Sequence, residues 1–94
     1  MNEQSANAVK VEVYSTAMCP YCQRAKHLLD RKGVHYTEYR VDLHDGLRIE
    51  MEKRSQRYTV PQIFINDRHI GGFDDMAELD MDDELDPLLG LSKV

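Results

Sequence analysis

The sequence lacks the apolar run of about 20 residues that a membrane-spanning helix needs. It also lacks internal repeats and low-complexity tracts, and its first stretch, MNEQSANAVK, has no basic segment followed by an apolar core of the kind that marks a secretory signal. With 94 residues, 41% of them hydrophobic and 31% charged, the chain fits one small globular domain. We therefore expect a protein of the reducing cytoplasm with no membrane partner.

Cysteine is scarce, with only two in the chain, Cys19 and Cys22. A disulfide between them would close a tiny loop, so a structural crosslink fits poorly, because stabilisation of this kind grows with loop length. Structural zinc usually takes four ligands from two such pairs, and no second pair is present. The four histidines do not form such a pair either: they are His27, His35, His44 and His69. A working thiol pair without a metal is the interpretation that remains.

Positive charge is also in deficit, since the formal net charge is -5. This argues against a nucleic-acid partner, because binding phosphates needs a positive surface. The acids concentrate in DDMAELDMDDELD, whereas most Arg and Lys lie between Arg24 and Arg57. Both runs fit solvated helix faces, and the basic one surrounds the cysteine pair, where it would favour anionic ligands.

The first half of the chain predicts a strand–helix–strand–helix order. VKVEVYS alternates valines with polar residues and predicts a strand with one buried face, and Cys22, Ala25, Leu28 and Leu29 share one stripe of a helix that stops at Gly33. VHYTEYRV predicts a second strand. DGLRIEMEKRSQRY predicts a second helix.

In that second helix, we expect Asp45 to be the N-cap and Leu47, Met51 and Tyr58 to lie on one side. PQIFI and HIGG then predict a hairpin around NDR, and Asp75 and Glu78 have the spacing of a capping box that would open a third helix. The order predicts an α/β fold with a four-stranded mixed sheet flanked by three or more helices. We expect a flexible tail over residues 1–8 and a domain over 9–94, and CxxC beside a βαβ unit is typical of thioredoxin-like redox proteins.

The position of the cysteines at a helix start predicts unequal roles. Pro20 suits the first helical turn, which places Cys19 near the N-cap and Cys22 about one turn inside. Unpaired N–H groups and the helix dipole favour negative charge at that end, so Cys19 should ionise more easily and attack. Cys22, more covered, should then resolve the mixed disulfide.

Two downstream segments predict a ligand site. Pro61 in TVPQIFI either simply opens a strand or follows a cis bond, and a cis bond would offer the Val60 backbone to an extended peptide. In GGFDD, the two acids either cap a helix or hold an ammonium group, and the helix start can bind a carboxylate. Together these signals predict a site that grips both charged groups of an amino-acid end.

Four motifs in order resemble the dithiol glutaredoxins of the small bacterial type: CPYC at 19–22, TVPQIFI at 59–65, GGFDD at 71–75 and the ending LDPLL. The resemblance runs from about Val11 to Leu89. It implies a thioredoxin fold and glutathione-dependent reduction of protein–glutathione mixed disulfides and protein disulfides, with Cys19 as nucleophile and Cys22 as resolving thiol. It also implies glutathione as co-substrate, oxidised or glutathionylated proteins as partners, and a monomer.

The resemblance further implies which residues bind glutathione. Tyr21 would line the groove, and Arg57 would meet the glycine carboxylate. The backbone of glutathione would lie along Thr59, Val60 and Pro61. Its γ-glutamyl end would be bound by Gly72, Asp74 and Asp75.

The chain departs from the family at Thr16, where many members have a lysine three residues before the nucleophile. Without that charge, we expect a less readily ionised Cys19 and weaker capture of glutathione. Two alternative functions are an iron–sulfur cluster bridged by two chains, for which thiolates are the appropriate ligands, and a redox-sensing adaptor without turnover. The resemblance implies that Pro20, directly after the nucleophile, disfavours the cluster, because family members that bind one usually have a different active-site sequence.

Overall fold

A computed structural model describes residues 9–91 of the chain. The predicted tail over 1–8 and the last three residues of the predicted domain lie outside the described residues. The strands are β1 (Val11–Ser15), β2 (Thr37–Arg40), β3 (Gln62–Ile65) and β4 (Arg68–Gly71). The helices are α1 (Pro20–Arg31), α2 (Asp45–Ser55), α3 (Phe73–Met81) and α4 (Leu85–Leu88).

The four strands form one mixed sheet in the order β2-β1-β3-β4. β1 and β2 are parallel, with Tyr14 opposite Tyr39, as the predicted βαβ unit requires. β3 is antiparallel to both of its neighbours, with Val11 of β1 opposite Ile65, and β3 and β4 form the predicted hairpin. The predicted sheet is confirmed, and a fourth, one-turn helix follows the three that the sequence located.

Helix α1 begins and ends where the sequence predicts. Cys19 is the N-cap in an extended conformation, and Pro20 is the first helical residue. At the other end Gly33 has φ 75°, its N–H donates to the Asp30 carbonyl at 3.0 Å, and the Val34 N–H donates to that of Leu29 at 3.3 Å. This is a Schellman ending, which glycine favours because it adopts positive φ without a Cβ penalty.

Strand β1 is buried on both faces, so the prediction of one buried face is wrong. Glu12 and Tyr14, which point away from the valines, are 6% and 0% exposed. The reason is Arg54 of α2, which donates to the Glu12 carboxylate at 3.1 Å and the Tyr14 hydroxyl at 2.9 Å. Its guanidinium also lies 4.0 Å from the ring centroid of Phe64. An alternating strand can therefore be central when a cation covers its polar face.

Two apolar cores lie on the two faces of the sheet. The larger one contains residues of α1, α3 and α4 packed on β1 and β3: Val11, Val13, Ala25, Leu28, Leu29, Ile63, Ile65, Met76, Leu85 and Leu89. The smaller one, on the α2 side, consists of Tyr14, Val41, Met51 and Phe64. Helices thus cover both faces, and α1 and α3 share one of them.

Helix α2 differs from its prediction at both ends. His44 is the N-cap and Asp45 is the first helical residue, where its charge still complements the helix dipole. Tyr58 does not share the buried side with Leu47 and Met51, because the helix ends at Ser55 and Tyr58 is 74% exposed. Gln56, with φ 59°, turns the chain out of the helix before Tyr58 is reached.

Candidate active site

The Cys19 sulfur lies at the start of α1 with two hydrogen-bond contacts. The Cys22 N–H donates to the Cys19 Sγ at 3.1 Å, and that thiol lies 3.8 Å from the Val60 carbonyl oxygen, to which it donates. Both cysteines are free thiols, with Cys19 half-buried and Cys22 buried. An N-cap sulfur that accepts a backbone N–H is placed where negative charge is stabilised.

Cys22 has a different environment. It is 0% exposed, and burial, together with a hydrogen bond to Cys19, raises the pKa of its thiol to about 12. A hydrogen bond with the Thr16 backbone opposes that shift in pKa without reversing it. Cys22 therefore stays protonated at neutral pH, and the accessible thiol of the pair is Cys19.

One groove of about 210 Å³ brings all eight predicted ligand-binding residues together. They are Tyr21, Arg57, Thr59, Val60, Pro61, Gly72, Asp74 and Asp75. The contact between Cys19 Sγ and the Val60 carbonyl places the thiol at this groove. The groove thus joins three motifs that are separated by up to some fifty positions in the sequence.

The Val60–Pro61 bond is cis, which resolves the alternative left open for Pro61. The next residue, Gln62, is 1% exposed and links the groove to β4. The Gln62 side-chain N–H donates to the Thr59 carbonyl at 3.0 Å, and the Gln62 side-chain oxygen Oε1 lies 2.7 Å from His69 Nε2. Burial lowers the pKa of His69, and the charge of Arg57 lowers it further. A neutral imidazole therefore holds Gln62, which in turn holds Thr59.

Asp75 caps α3 in a different way from the predicted one. The helix begins at Phe73 with Gly72 as N-cap, so Asp75 is its third residue rather than its cap. The Asp75 carboxylate accepts from the Gly72 N–H at 2.9 Å and from Arg57 Nη1 at 3.1 Å. These contacts, the Gly72 one foremost, lower the pKa of Asp75. Asp75 therefore orients Arg57 as well as the helix start.

Tyr21 and Phe73 form an aromatic wall at the end of the groove. Their ring centroids are 6.5 Å apart, and Tyr21 is 50% exposed. Arg24 lies over the Tyr21 ring at 5.1 Å from its centroid. Asp74, next to Phe73 in the first turn of α3, is exposed.

The sequence missed Gln62, His69 and Phe73 as residues of this site. Gln62 and Phe73 belong to motifs that were recognised, and both line the groove. A polar Gln in the otherwise apolar PQIFI strand was the available signal, because a buried amide needs partners. Nothing in the sequence connects His69 to it, since the link depends on the pairing of β3 with β4.

Residues 9–91 contain no group of three or more His, Cys, Asp or Glu side chains placed to hold a metal ion. Over the same range, each helix is too short or too polar to cross a bilayer.

Comparison with known protein sequences finds glutaredoxins. The glutaredoxin family profile matches residues 11–70. Glutaredoxin 3 of Escherichia coli K12 is 56% identical over 79 residues, which are 84% of this chain and 95% of that protein. A Pseudomonas aeruginosa glutaredoxin is 48% identical over 79 residues, covering 84% of this chain and 94% of the relative.

Solved structures agree with the sequence comparisons. The solution structure of glutaredoxin from Brucella melitensis has a TM-score of 0.79 and 45% identity, and covers 94% of this chain and 96% of that one. The crystal structure of a buckwheat glutaredoxin–glutathione complex has a TM-score of 0.81 and 31% identity, over 95% and 87% of the two chains. The chain belongs to the glutaredoxin family, with the thioredoxin fold and the thiol–disulfide oxidoreductase activity of that family.

Proposed function

We propose that this protein reduces protein–glutathione mixed disulfides and protein disulfides with glutathione as the electron donor. The observation that carries the proposal is the Cys19 sulfur, which is capped by the Cys22 N–H at 3.1 Å and lies at the groove through its contact with Val60. Thiol and ligand groove are therefore adjacent, as a disulfide bound in that groove requires.

The two thiols have separate roles in this reaction. The Cys19 thiolate attacks the glutathione sulfur of the mixed disulfide, the new S–S bond joins Cys19 to glutathione, and the protein thiolate leaves and takes up a proton. A second glutathione thiolate then attacks that bond, which yields glutathione disulfide and restores Cys19. On a protein disulfide, Cys22 attacks the Cys19 mixed disulfide instead, and two glutathiones reduce the resulting Cys19–Cys22 bond.

The groove offers groups that match the parts of glutathione. Its peptide-like backbone would run along Thr59, Val60 and Pro61 in the manner of an added strand, with Tyr21 covering it. The γ-glutamyl end would meet the start of α3, where backbone N–H groups suit its carboxylate and Asp74 its ammonium group. A buckwheat relative was solved in complex with glutathione, which supports glutathione as the ligand.

Arg57 and Asp75 would act as a unit in this binding mode. The Arg57 side chain is 47% exposed, so its guanidinium can meet the glycine carboxylate while it keeps its 3.1 Å contact with Asp75. Asp75 would serve the γ-glutamyl end through the turn at Gly72 that it holds. We further propose that the protein acts as a monomer in the cytoplasm, on glutathionylated or oxidised proteins.

Turnover assays of Cys22→Ser and Cys19→Ser test this function. With glutathione and a small glutathione mixed disulfide, Cys22→Ser should remain active, because Cys19 and glutathione complete that cycle. The same variant should fail to reduce a protein disulfide, which needs both thiols. Cys19→Ser should be inactive on both substrates.

Full activity of Cys22→Ser on the protein disulfide would show that Cys22 is not the resolving thiol. If the wild type turns over neither substrate with glutathione, the proposed function itself is wrong.

A further inference from the structure

A second groove, of about 260 Å³, lies between α1 and α3, outside the proposed glutathione site. We call it the α1–α3 groove. Its lining residues are Arg24, His27, Leu28, Arg31, Phe73, Ala77, Asp80 and Met81. The spacing of these positions is that of one face on each helix, so the groove follows both helices away from their N-termini.

The α1 wall of this groove is basic in a chain whose net charge is -5. Neither Arg24 nor Arg31 forms an ion pair with any residue in 9–91. The one acid in the lining, Asp80, is already paired with Lys32 at 2.7 Å. The groove therefore has positive charge that no carboxylate of the described chain neutralises.

The α3 wall is apolar except for Asp80, which is paired with Lys32. Phe73 and Ala77 lie along it, and Met81 at its far end is 82% exposed. An apolar wall facing a basic one fits a segment with carboxylates on one side and an apolar side chain on the other.

The α1–α3 groove is continuous with the proposed glutathione groove. Phe73 lines both, and Arg24 of the second groove stacks over Tyr21 of the first at 5.1 Å. A molecule bound at Cys19 can therefore extend from one groove into the other.

We propose that the α1–α3 groove binds the polypeptide part of a glutathionylated substrate, and that it selects segments with carboxylates near the modified cysteine. The proposal rests on the proposed function, in which glutathione occupies the first groove. The second groove then determines which proteins are reduced fastest.

The length of α1 fixes where the carboxylates should be. Helical rise places Arg24 roughly 7 Å and Arg31 roughly 18 Å along the helix from Cys19. An extended peptide covers about 3.3 Å per residue, so acidic residues roughly two to six positions from the modified cysteine would reach these arginines.

The test uses synthetic peptides with one glutathionylated cysteine and either glutamates or lysines two to six positions away. Wild type should reduce the glutamate peptide with a kcat/KM roughly threefold to tenfold higher than the lysine peptide, as expected for two solvent-accessible charge pairs. Added salt should shrink this preference, because it screens such pairs.

Arg31→Glu should reduce the preference roughly threefold or more and leave turnover of a small glutathione mixed disulfide, whose other half is uncharged, unchanged. The matched control is Lys53→Glu, which makes the same charge change at an exposed position of α2, across the sheet from α1. The control should keep the wild-type preference.

Equal kcat/KM for both peptides, or equal effects of the two variants, would overturn the groove proposal while activity on the small substrate still supported the proposed function. If the wild type turned over none of these substrates, the proposed function itself would be refuted.

Discussion

At the scale of single residues, Thr16 stands where a lysine often precedes the nucleophile, and it is half-buried beside the active site. We expect Thr16→Lys to make Cys19 react with an alkylating reagent roughly twofold to fivefold faster at neutral pH, because a nearby positive charge favours the thiolate. The KM for glutathione should fall as well. Alkylation rates are best compared in the Cys22→Ser background, so that one thiol reacts.

Thr16→Gln is the control for the length of the lysine side chain without its charge. It should alkylate at the wild-type rate. If the lysine and glutamine variants react equally fast, charge at position 16 has no role in activating Cys19.

His69 should make the folded state sensitive to mild acid. Its pKa is lowered below 6.5, mainly by burial, so the unfolded chain takes up a proton more readily than the folded one. The contribution of His69 to the free energy of unfolding should therefore be complete above pH 6.5. It should decrease as the pH falls below 6.5 toward the pKa of His69 in the folded protein. Urea unfolding on either side of that pH should show a smaller decrease for His69→Gln than for wild type.

All other titratable groups are the same in wild type and in His69→Gln. The difference between the stability lost by wild type and that lost by the variant therefore isolates the effect of His69. Identical pH profiles would contradict a neutral imidazole at the Gln62 contact.

At the site, the residues that motifs identified were predictable, and the contacts between them were not. CPYC, TVP and GGFDD contain seven of the eight predicted residues, and Arg57 precedes TVP; the groove is also lined by Gln62 and Phe73, which were not predicted. The Asp75–Arg57 pair and the His69–Gln62–Thr59 chain depend on the approach of α3 and β4 to β3, which local sequence does not encode. Motifs identify candidate residues that are close together in the sequence, whereas contacts between distant segments depend on the fold.

At the scale of elements, the turn from β4 into α3 depends on Gly71. Its φ is 118°, and a Cβ at this position would overlap the Asp75 carboxylate. We expect Gly71→Ala to destabilise the protein by about 1–3 kcal/mol, through backbone strain and loss of the Asp75 cap. The KM for glutathione should rise, since Arg57 loses its partner. Urea unfolding and steady-state kinetics measure the two effects.

Gly46→Ala is the matched control. It lies in the first turn of α2, where an added Cβ meets nothing within 4 Å. Alanine favours the helix over glycine by up to about 1 kcal/mol, so this variant should be as stable as wild type or more so. A Gly71→Ala variant as stable as Gly46→Ala would show that the turn tolerates a side chain.

The sequence predicted which segments are helices and which are strands. It did not predict that both faces of β1 are covered, nor the first residues of α2 and α3. Alternation in β1 indicated a strand but gave no sign that Arg54, some forty positions later, would cover Glu12 and Tyr14. The start of α3 was misplaced because Asp75 fits two positions of a capping box, and only the turn at Gly72 distinguishes them.

At the scale of the whole molecule, Lys32 connects three helices. It follows α1 and pairs with Asp80 of α3 at 2.7 Å and with Asp86 of α4 at 2.8 Å, and its side chain is only 18% exposed. We expect Lys32→Gln to lower the free energy of unfolding by about 1–2 kcal/mol, because two carboxylates lose their shared cation.

Lys10→Gln removes a comparable pair on the surface, in which Lys10 is 54% and Asp67 68% exposed. Its cost should be much smaller than that of Lys32→Gln, since solvent screens exposed pairs. Equal losses in the two variants by urea unfolding would contradict a connecting role for Lys32.

The strand order leaves β2 and β4 at the two margins of the sheet. Each has four residues, and the solvent side of these margins carries charge, with Glu38 and Arg40 on one and Arg68 on the other. Short, charged outer strands are poor templates for pairing with a second chain. We therefore expect the strand order that places Cys19 beside Val60 also to disfavour aggregation through the sheet in concentrated solutions.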